Sequence, residues 1–487
     1  MDISKGSKLV ESIKSILLVV LFLLTILLLY FFWSDTALRN LIGEEHQRRA
    51  AISPVEIFQP DRIEISFGGD TYTVFSETEE TSEKFHVIMD CFKTFAEGRS
   101  LSAEEISKEL YEERVRRASI KAVFEYFIPF SAICELYEID RIPGADAIFA
   151  VSELAYSADF DDCLFVYDNR VEKYYRIAGT VNNCFDNLKQ EIENAEREFL
   201  YFTLGNYMGG EINNNTLWPI SFESNLYDIE YSREDFPGQP ERVNDIVRSF
   251  FSDSFDFVRR IADENGTVIY MYGYGRIVVV AHNNGVLEYM REEDGRAVQP
   301  RYLEAFETAN AFIAAHGGFS AISGMTFEPY IKEVIVNPED KRGYRFIFGI
   351  KASGGRVYYQ TGAPMIVDVL DGRVSYFKRQ LINISPNETR TAESDSRQVF
   401  LPVINLIAFN TEYIGAALVQ TQTINAEDIF SDTLLEVILE KVERLDSGYI
   451  KINADEHTLQ AAWIVTIGGL EFYFGLDDGE PLGYYQQ

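Results

Sequence analysis

Residues 16–33, ILLVVLFLLTILLLYFFW, hold seventeen apolar side chains in eighteen positions, interrupted only by Thr25. As a helix rising about 1.5 Å per residue, the run measures roughly 27 Å, close to the hydrocarbon thickness of a bilayer. Backbone amides find no partners in hydrocarbon, so the pattern predicts one transmembrane helix. Tyr30, Phe31, Phe32 and Trp33 crowd one end, where amphipathic rings favour the headgroup layer. A secretory leader has a shorter apolar core, of about 7–15 residues, ending at small neutral residues. Here Ser34, Asp35, Thr36 and Ala37 put an acid at that place, so an uncleaved anchor is expected. Lys14 abuts the run with Lys8 and Lys5 behind it, whereas Arg39, Arg48 and Arg49 lie further off. That asymmetry puts the short tail, 1–15, in the cytoplasm and the remainder outside the membrane.

Beyond a helical stalk (34–55, ended near Pro54), the patterning alternates between periods of two and 3.6. DRIEISFGG and TYTVFSE read as a hairpin turned at Gly68, Gly69 and Asp70. Phe85, Ile88, Met89, Phe92 and Phe95 fall at helical spacing over 83–97. Ser102 and Glu105 match a capping box ahead of a helix to about Glu113. SIKAVFEYF, DAIFAVSELAYS, DCLFVYD and KYYRIAG read as strands, Pro129 opens a short helix through Tyr137, and VNNCFDNLKQEIENA reads as a helix. These make 56–205 an α+β domain, with the Asn- and Gly-rich GNYMGGEINNNT as a candidate boundary.

From residue 240 a motif recurs: an amphipathic helix, then aromatic strands with Gly turns. The helices are ERVNDIVRSFFSD, PRYLEAFETANAFIAAHGG and INAEDIFSDTLLEVILEKVERL. The row Leu303, Phe306, Ala309, Asn310 and Ile313, and the row Leu434, Val437, Ile438 and Lys441, suit helices laid on a sheet. Asn283–Asn284–Gly285, Asp371–Gly372 and Asp477–Asp478–Gly479 supply hairpin turns. The expected fold class is therefore α+β. One N-terminal transmembrane helix precedes antiparallel sheets, each covered by helices, with repeated helix-plus-sheet units in the C-terminal half. The expected divisions are a tail (1–15), the span (16–33), the stalk (34–55), and domains over 56–205, 217–390 and 391–487, with SPNETRTAESDSRQ between the last two units.

Charge narrows the partners. Three of 44 Lys and Arg and two of 77 Asp and Glu precede residue 34, so the outer region carries a net charge near −34. Phosphate recognition needs the opposite sign, which excludes nucleic acid as a partner. Cys91, Cys134, Cys163 and Cys184 form no C-x-x-C pair and are too few for a disulfide scaffold; small buried thiols are favoured over disulfides. His46, His86, His282, His316 and His457 are dispersed, and the carboxylates at 159, 161 and 162 or at 477, 478 and 480 lack the spacing of a calcium loop, so no metal site is assigned. No G-x-S-x-G occurs, and the S-x-x-K at Ser375–Lys378 lies in an expected strand, where Lys cannot fold back onto Ser. No catalytic, metal or cofactor residue is assigned. With so many acids, a glycosidase carboxylate pair stays open.

Some stretches carry a resemblance. ESIKSILLVVLFLLTILLLYFFW before a long outer region, ERVNDIVRSFFSD with GTVIYMYGYGRIVVVAHNNGVLEYM, and HTLQAAWIVTIGGLEFYF with GLDDGEPL resemble the YycH family of Gram-positive bacteria. The last stretch is also similar to the related YycI protein, which makes the C-terminal units YycI-like. The resemblance implies a non-enzymatic regulator of the two-component system controlling cell-wall metabolism. It further implies action on the sensor histidine kinase through the transmembrane helix, beside a YycI-like companion. Contacts within lipid depend on packing and occasional polar groups. Thr25, the sole hydroxyl deep in the span, and the aromatic cap Tyr30 and Trp33 are the candidate contacts. Two alternatives stay open: a membrane-anchored glycan hydrolase, and an extracytoplasmic sensor with a ligand pocket between the first domain and the repeated units.

Overall fold

The structure is a computed structural model that describes Leu21 and residues 51–76, 79–97, 101–159, 163–179, 185–195, 197, 200–210, 212–220, 226–233, 240–292, 298–319, 327–352, 354–359, 362–385, 403–431, 433–451 and 457–486. Apart from Leu21, which is helical and exposed, the apolar span with Thr25, Tyr30 and Trp33 lies outside the described residues, as does Cys184. Among the described residues no helix is long and apolar enough to cross a membrane.

The chain divides into two compact units. The first gathers 1–52 with 310–318. In it the Asn310 side chain closes a two-way link with Ile52, accepting from its backbone N at 3.2 Å and donating to its carbonyl at 2.7 Å. The second unit, 53–309 with 319–487, holds two sheets.

Nine antiparallel strands make the first sheet: β1 (Arg62–Phe67), β2 (Thr71–Ser76), β3 (Ser102–Ile106), β4 (Ala118–Val123), β5 (Glu153–Ser157), β6 (Cys163–Asp168), β7 (Lys173–Ala178), β8 (Tyr201–Thr203) and β9 (Leu217–Pro219). Their spatial order is β3-β7-β6-β5-β4-β1-β2-β8-β9. The β1–β2 turn falls at Gly68, Gly69 and Asp70, all at positive φ, as the hairpin reading expects. Helices Glu79–Glu97 and Phe185–Asn194 cover one face, burying Phe85, Ile88, Met89, Phe92 and Phe95 on the first and Leu188 and Ile192 on the second. Phe185 stacks on Tyr156 of β5 with centroids 4.8 Å apart.

The capping-box expectation at Ser102 and Glu105 fails. Residues 102–106 are an edge strand whose backbone groups pair with β7, and the helix starts only at Lys108, capped by the Ser107 hydroxyl, which accepts from Leu110 N at 3.3 Å. Antiparallel pairing bonds both the N–H and the C=O of alternate residues along the strand, where the box would satisfy two donors.

The second sheet has fifteen strands: β10 (Ile229–Arg233), β11 (Arg259–Ala262), β12 (Val268–Tyr272), β13 (Ile277–Ala281), β14 (Val286–Arg291), β15 (Glu328–Val336), β16 (Gly343–Ala352), β17 (Gly355–Tyr359), β18 (Met365–Leu370), β19 (Arg373–Gln380), β20 (Ile382–Ser385), β21 (Val442–Lys451), β22 (Thr458–Ile467), β23 (Leu470–Gly475) and β24 (Pro481–Gln486). The fold is thus α+β with antiparallel-rich sheets. The middle and last units are joined: β17 runs parallel to β21, with Arg356 opposite Gly448, making one continuous sheet. A Cβ on Gly448 would sit 2.6 Å from the Arg356 carbonyl, so only glycine permits this approach. Helices Thr411–Gln420 and Leu434–Glu440 pack Ile414, Leu418, Leu434 and Ile438 against Trp463, Val465, Phe472 and Phe474. The last expected helix is shorter than its pattern, because KVERL enters β21.

The stretch GNYMGGEINNNT connects β8 to β9, and part of it reaches the second sheet. The buried Asn214 amide donates to the carbonyls of Leu439 and Val442, each at 2.8 Å, and the Thr216 hydroxyl donates to Val442 at 2.9 Å. Losing that amide leaves a buried carbonyl short of a donor. Asn214→Ala should therefore destabilise the protein by about 1–3 kcal/mol in urea titration; an unchanged midpoint would show that the contact carries no stability.

Candidate functional site

Alternation along β1 sends Ile63 and Ile65 towards the helices and Arg62, Glu64 and Ser66 to the opposite face. In β4, Lys121 stands directly across from Glu64, and its Nζ lies 2.8 Å from Glu64 Oε2. Arg62 Nε donates to Glu64 Oε1 at 2.7 Å. Lys121 also reaches Glu153 of β5 at 3.4 Å, and the Tyr111 hydroxyl donates to the other Glu153 oxygen at 2.5 Å. Carboxylates and cations thus alternate across the sheet.

The second sheet meets this face through the start of β21. A register shift between Val442 and Arg444 interrupts the pairing with β22, the kind of bulge that re-aims side chains. Arg444 Nη1 lies 2.5 Å from Glu125 Oε2, while Arg62 Nη1 donates to Glu125 Oε1 at 2.5 Å. Arg444 also pairs with Asp446 and donates to the Tyr358 hydroxyl at 2.9 Å. Deeper in, Arg356 of β17 bonds Asp61 at 2.6 Å with both side chains at least nine-tenths buried. The other Asp61 oxygen accepts from Glu125 N at 2.6 Å, and the Arg356 guanidinium lies 4.4 Å from the centroid of the Tyr330 ring.

Burial opposes ionisation of Glu64, but Lys121 and Arg62 outweigh it and hold its carboxyl down at about 2. Burial would also lower Lys121, but Glu153 and Glu64 raise it above the usual ammonium range. Burial pushes the Glu125 carboxyl up against the pull of Arg444 and Arg62. Asp446 moves the other way: its desolvation is overcome by Arg444, Arg356 and Arg62, and its carboxyl is lowered.

Beside this cluster is a cavity of about 450 Å³. Arg62, Glu64, Lys121 and Glu153 form its floor, Glu443–Ser447 and Trp463 contribute from the second sheet, and Tyr72, Tyr111, Tyr167, Tyr174 and Tyr201 supply its aromatic walls. It lies where the ligand-sensor reading places a pocket.

Neither a family model nor a curated protein sequence matches the chain. Among solved structures, the crystal structure of YycH from Bacillus subtilis is similar with a TM-score of 0.50 at 10% identity, covering 89% of this chain and 98% of that one. The fold is YycH-like. At that identity the likeness concerns the path of the backbone alone.

Within the YycH-like fold, Ser375 and Lys378 lie in β19, an extended strand, as expected. His86 bonds the Ser82 carbonyl and His282 approaches Glu288 at 3.2 Å. Among the described residues no group of three His, Cys, Asp or Glu side chains is placed to hold a metal ion. Cys91 and Cys163 are buried, and burial raises the half-buried Cys134 thiol to about 12. The charged cluster was not singled out from the sequence. Its only local sign is the alternation of Arg62 and Glu64 with Ile63 and Ile65, which ordinarily marks a solvent face.

Breaking a buried pair strands its partner. Arg356→Met should cost about 3–5 kcal/mol of stability by leaving Asp61 without its cation, read from denaturant unfolding; a loss below about 1 kcal/mol, typical of exposed pairs, would refute the desolvated pairing. Glu64 yields a pH signature. Its folded value of about 2 lies below the ordinary 4.5, so its stabilisation is complete above the ordinary value and is lost as pH falls towards 2. In Glu64→Gln the unfolding free energy should fall less steeply across that interval than in the parent protein, and parallel curves would contradict the assignment.

Proposed function

We propose that this protein is a membrane-anchored, non-enzymatic regulator of a sensor histidine kinase that controls cell-wall metabolism. The YycH-like fold over 89% of the chain is the observation that supports this reading most directly. The apolar run 16–33 and the quoted resemblances support it from the sequence. In this reading residues 1–15 are cytoplasmic, 16–33 span the lipid, and the stalk carries extracytoplasmic domains over 56–205, 217–390 and 391–487. The last of these contains the YycI-like unit and stands beside a YycI-like companion. Thr25, Tyr30 and Trp33 contact the kinase helices, and regulation follows if those contacts favour one kinase state over the other.

A second reading has its own support. The cavity between the two sheets, with Arg62 and Arg444 shared between its wall and the ion cluster, suits a sensor whose occupancy alters how the sheets are held.

Replacing 16–33 with an unrelated Leu/Ala span of equal length tests the membrane mechanism. Kinase output, read from a target-promoter reporter, should shift towards that of a strain lacking the protein. Output equal to the parent's at equal membrane abundance would discard contact through the helix.

A further inference from the structure

We infer that the cavity between the two sheets binds a neutral carbohydrate of one or two rings. The inference rests on the sensor reading above and names its ligand. A volume of about 450 Å³ lies within the usual span for small-molecule sites, about 300–1,000 Å³.

The aromatic walls favour a sugar. Tyr167 and Tyr174 stack with centroids 4.5 Å apart and planes 16° apart, and both are half-buried. Tyr111 lies 4.9 Å from Tyr174, and on the far wall Tyr72 and Tyr201 are cross-strand partners. A pyranose presents C–H bonds, with a slight positive charge, from one ring face, and these complement the negative face of a tyrosine ring.

The charges select against ions. Glu64 is held by Lys121 and Arg62, Glu153 by Lys121 and Tyr111, and Asp446 by Arg444. Arg116 and Glu443 also line the cavity but are exposed to water, whereas a charged ligand that reaches the floor has to displace one of these pairs and strand its partner. Sugar hydroxyls do not, because they donate to the remaining carboxylate lone pairs and accept from cation N–H groups. Glu64 makes this a built site: its side chain is only 7% exposed, fixed from both sides, and part of the cavity wall. Since Arg62 and Arg444 both grip Glu125, occupancy stiffens the junction of the sheets.

The test uses the full chain in nanodiscs, which avoids glycoside detergents, and isothermal titration calorimetry. The probes are cellobiose and N,N′-diacetylchitobiose as neutral disaccharides, Ala-Ala as a zwitterion and glucose 6-phosphate as an anion. At least one neutral disaccharide should bind more tightly than either charged probe. Tyr167→Ala and Tyr174→Ala should each weaken that binding by about tenfold, the scale of one lost stacking contact, measured on variants whose circular dichroism shows the parent fold. Tyr201→Ala on the opposite wall supplies the same comparison if those variants do not fold. No binding by either neutral disaccharide, tighter binding of a charged probe, or unchanged affinity in the folded tyrosine variants would overturn the inference. Failure here with kinase output still sensitive to the helix replacement removes only the ligand. Sugar binding with indifferent output removes only the membrane mechanism.

Discussion

The junction of the two sheets depends on ion pairs taken out of water. Moving a charge into a protein interior costs several kcal/mol even after relaxation, so Asp61, Glu125, Arg356 and Arg444 are tolerated only where each finds its partner. That requirement is directional and allows few arrangements. Beside it, Phe58 packs 5.4 Å from Tyr302 and 4.6 Å from Phe306, and the Tyr302 hydroxyl donates to the Phe127 carbonyl. Aromatic burial supplies adhesion between the regions, whereas the ions specify how they meet.

The same face of the first sheet shows why a cavity lies next to the ions. Helix Lys108–Val115 covers one end, where Tyr111 packs with Ala155, Cys163 and Phe165, and β21 approaches near Glu125. Between them the floor is a row of salt-linked side chains, each already held in place. A wall of mutually fixed ions does not collapse into the gap as an aliphatic one does, and it keeps polar groups pointing inward. Cavity and junction therefore share residues, and this links the sensor reading to the architecture.

Much of the fold was legible because it depends on local periodicity. The β1–β2 hairpin, helix Glu79–Glu97, the strands around 163–168 and 173–178, and the helix-then-strands motif of the second half all follow from spacing and turn residues. Ser102–Ile106 was misread because its capping-box letters say nothing about β7, some seventy residues away, which recruits it as an edge. KVERL was misread because apolar spacing over five residues fits either period, and pairing with β22 decides it. The site was hardest to see. Alternating charges on β1 look like a solvent face, and no local pattern announces that Asp61 meets a residue 295 positions later. The apolar span with Thr25, Tyr30 and Trp33 is the reverse case: its apolar pattern stands out in the sequence, and all of it but Leu21 lies outside the described residues.

The parallel alignment of β17 with β21 affects the order in which this chain matures. Strand β17 has its neighbour β16 at once, but its other edge waits for residues past 442. Until those emerge, Asp61 lacks a settled cation, because the sheet that carries Arg356 is itself unfinished, and Glu125 lacks Arg444. Charges carried by the first sheet's region are thus neutralised from a strand more than three hundred residues downstream, and a chain cut before β21 would leave Glu125 without Arg444.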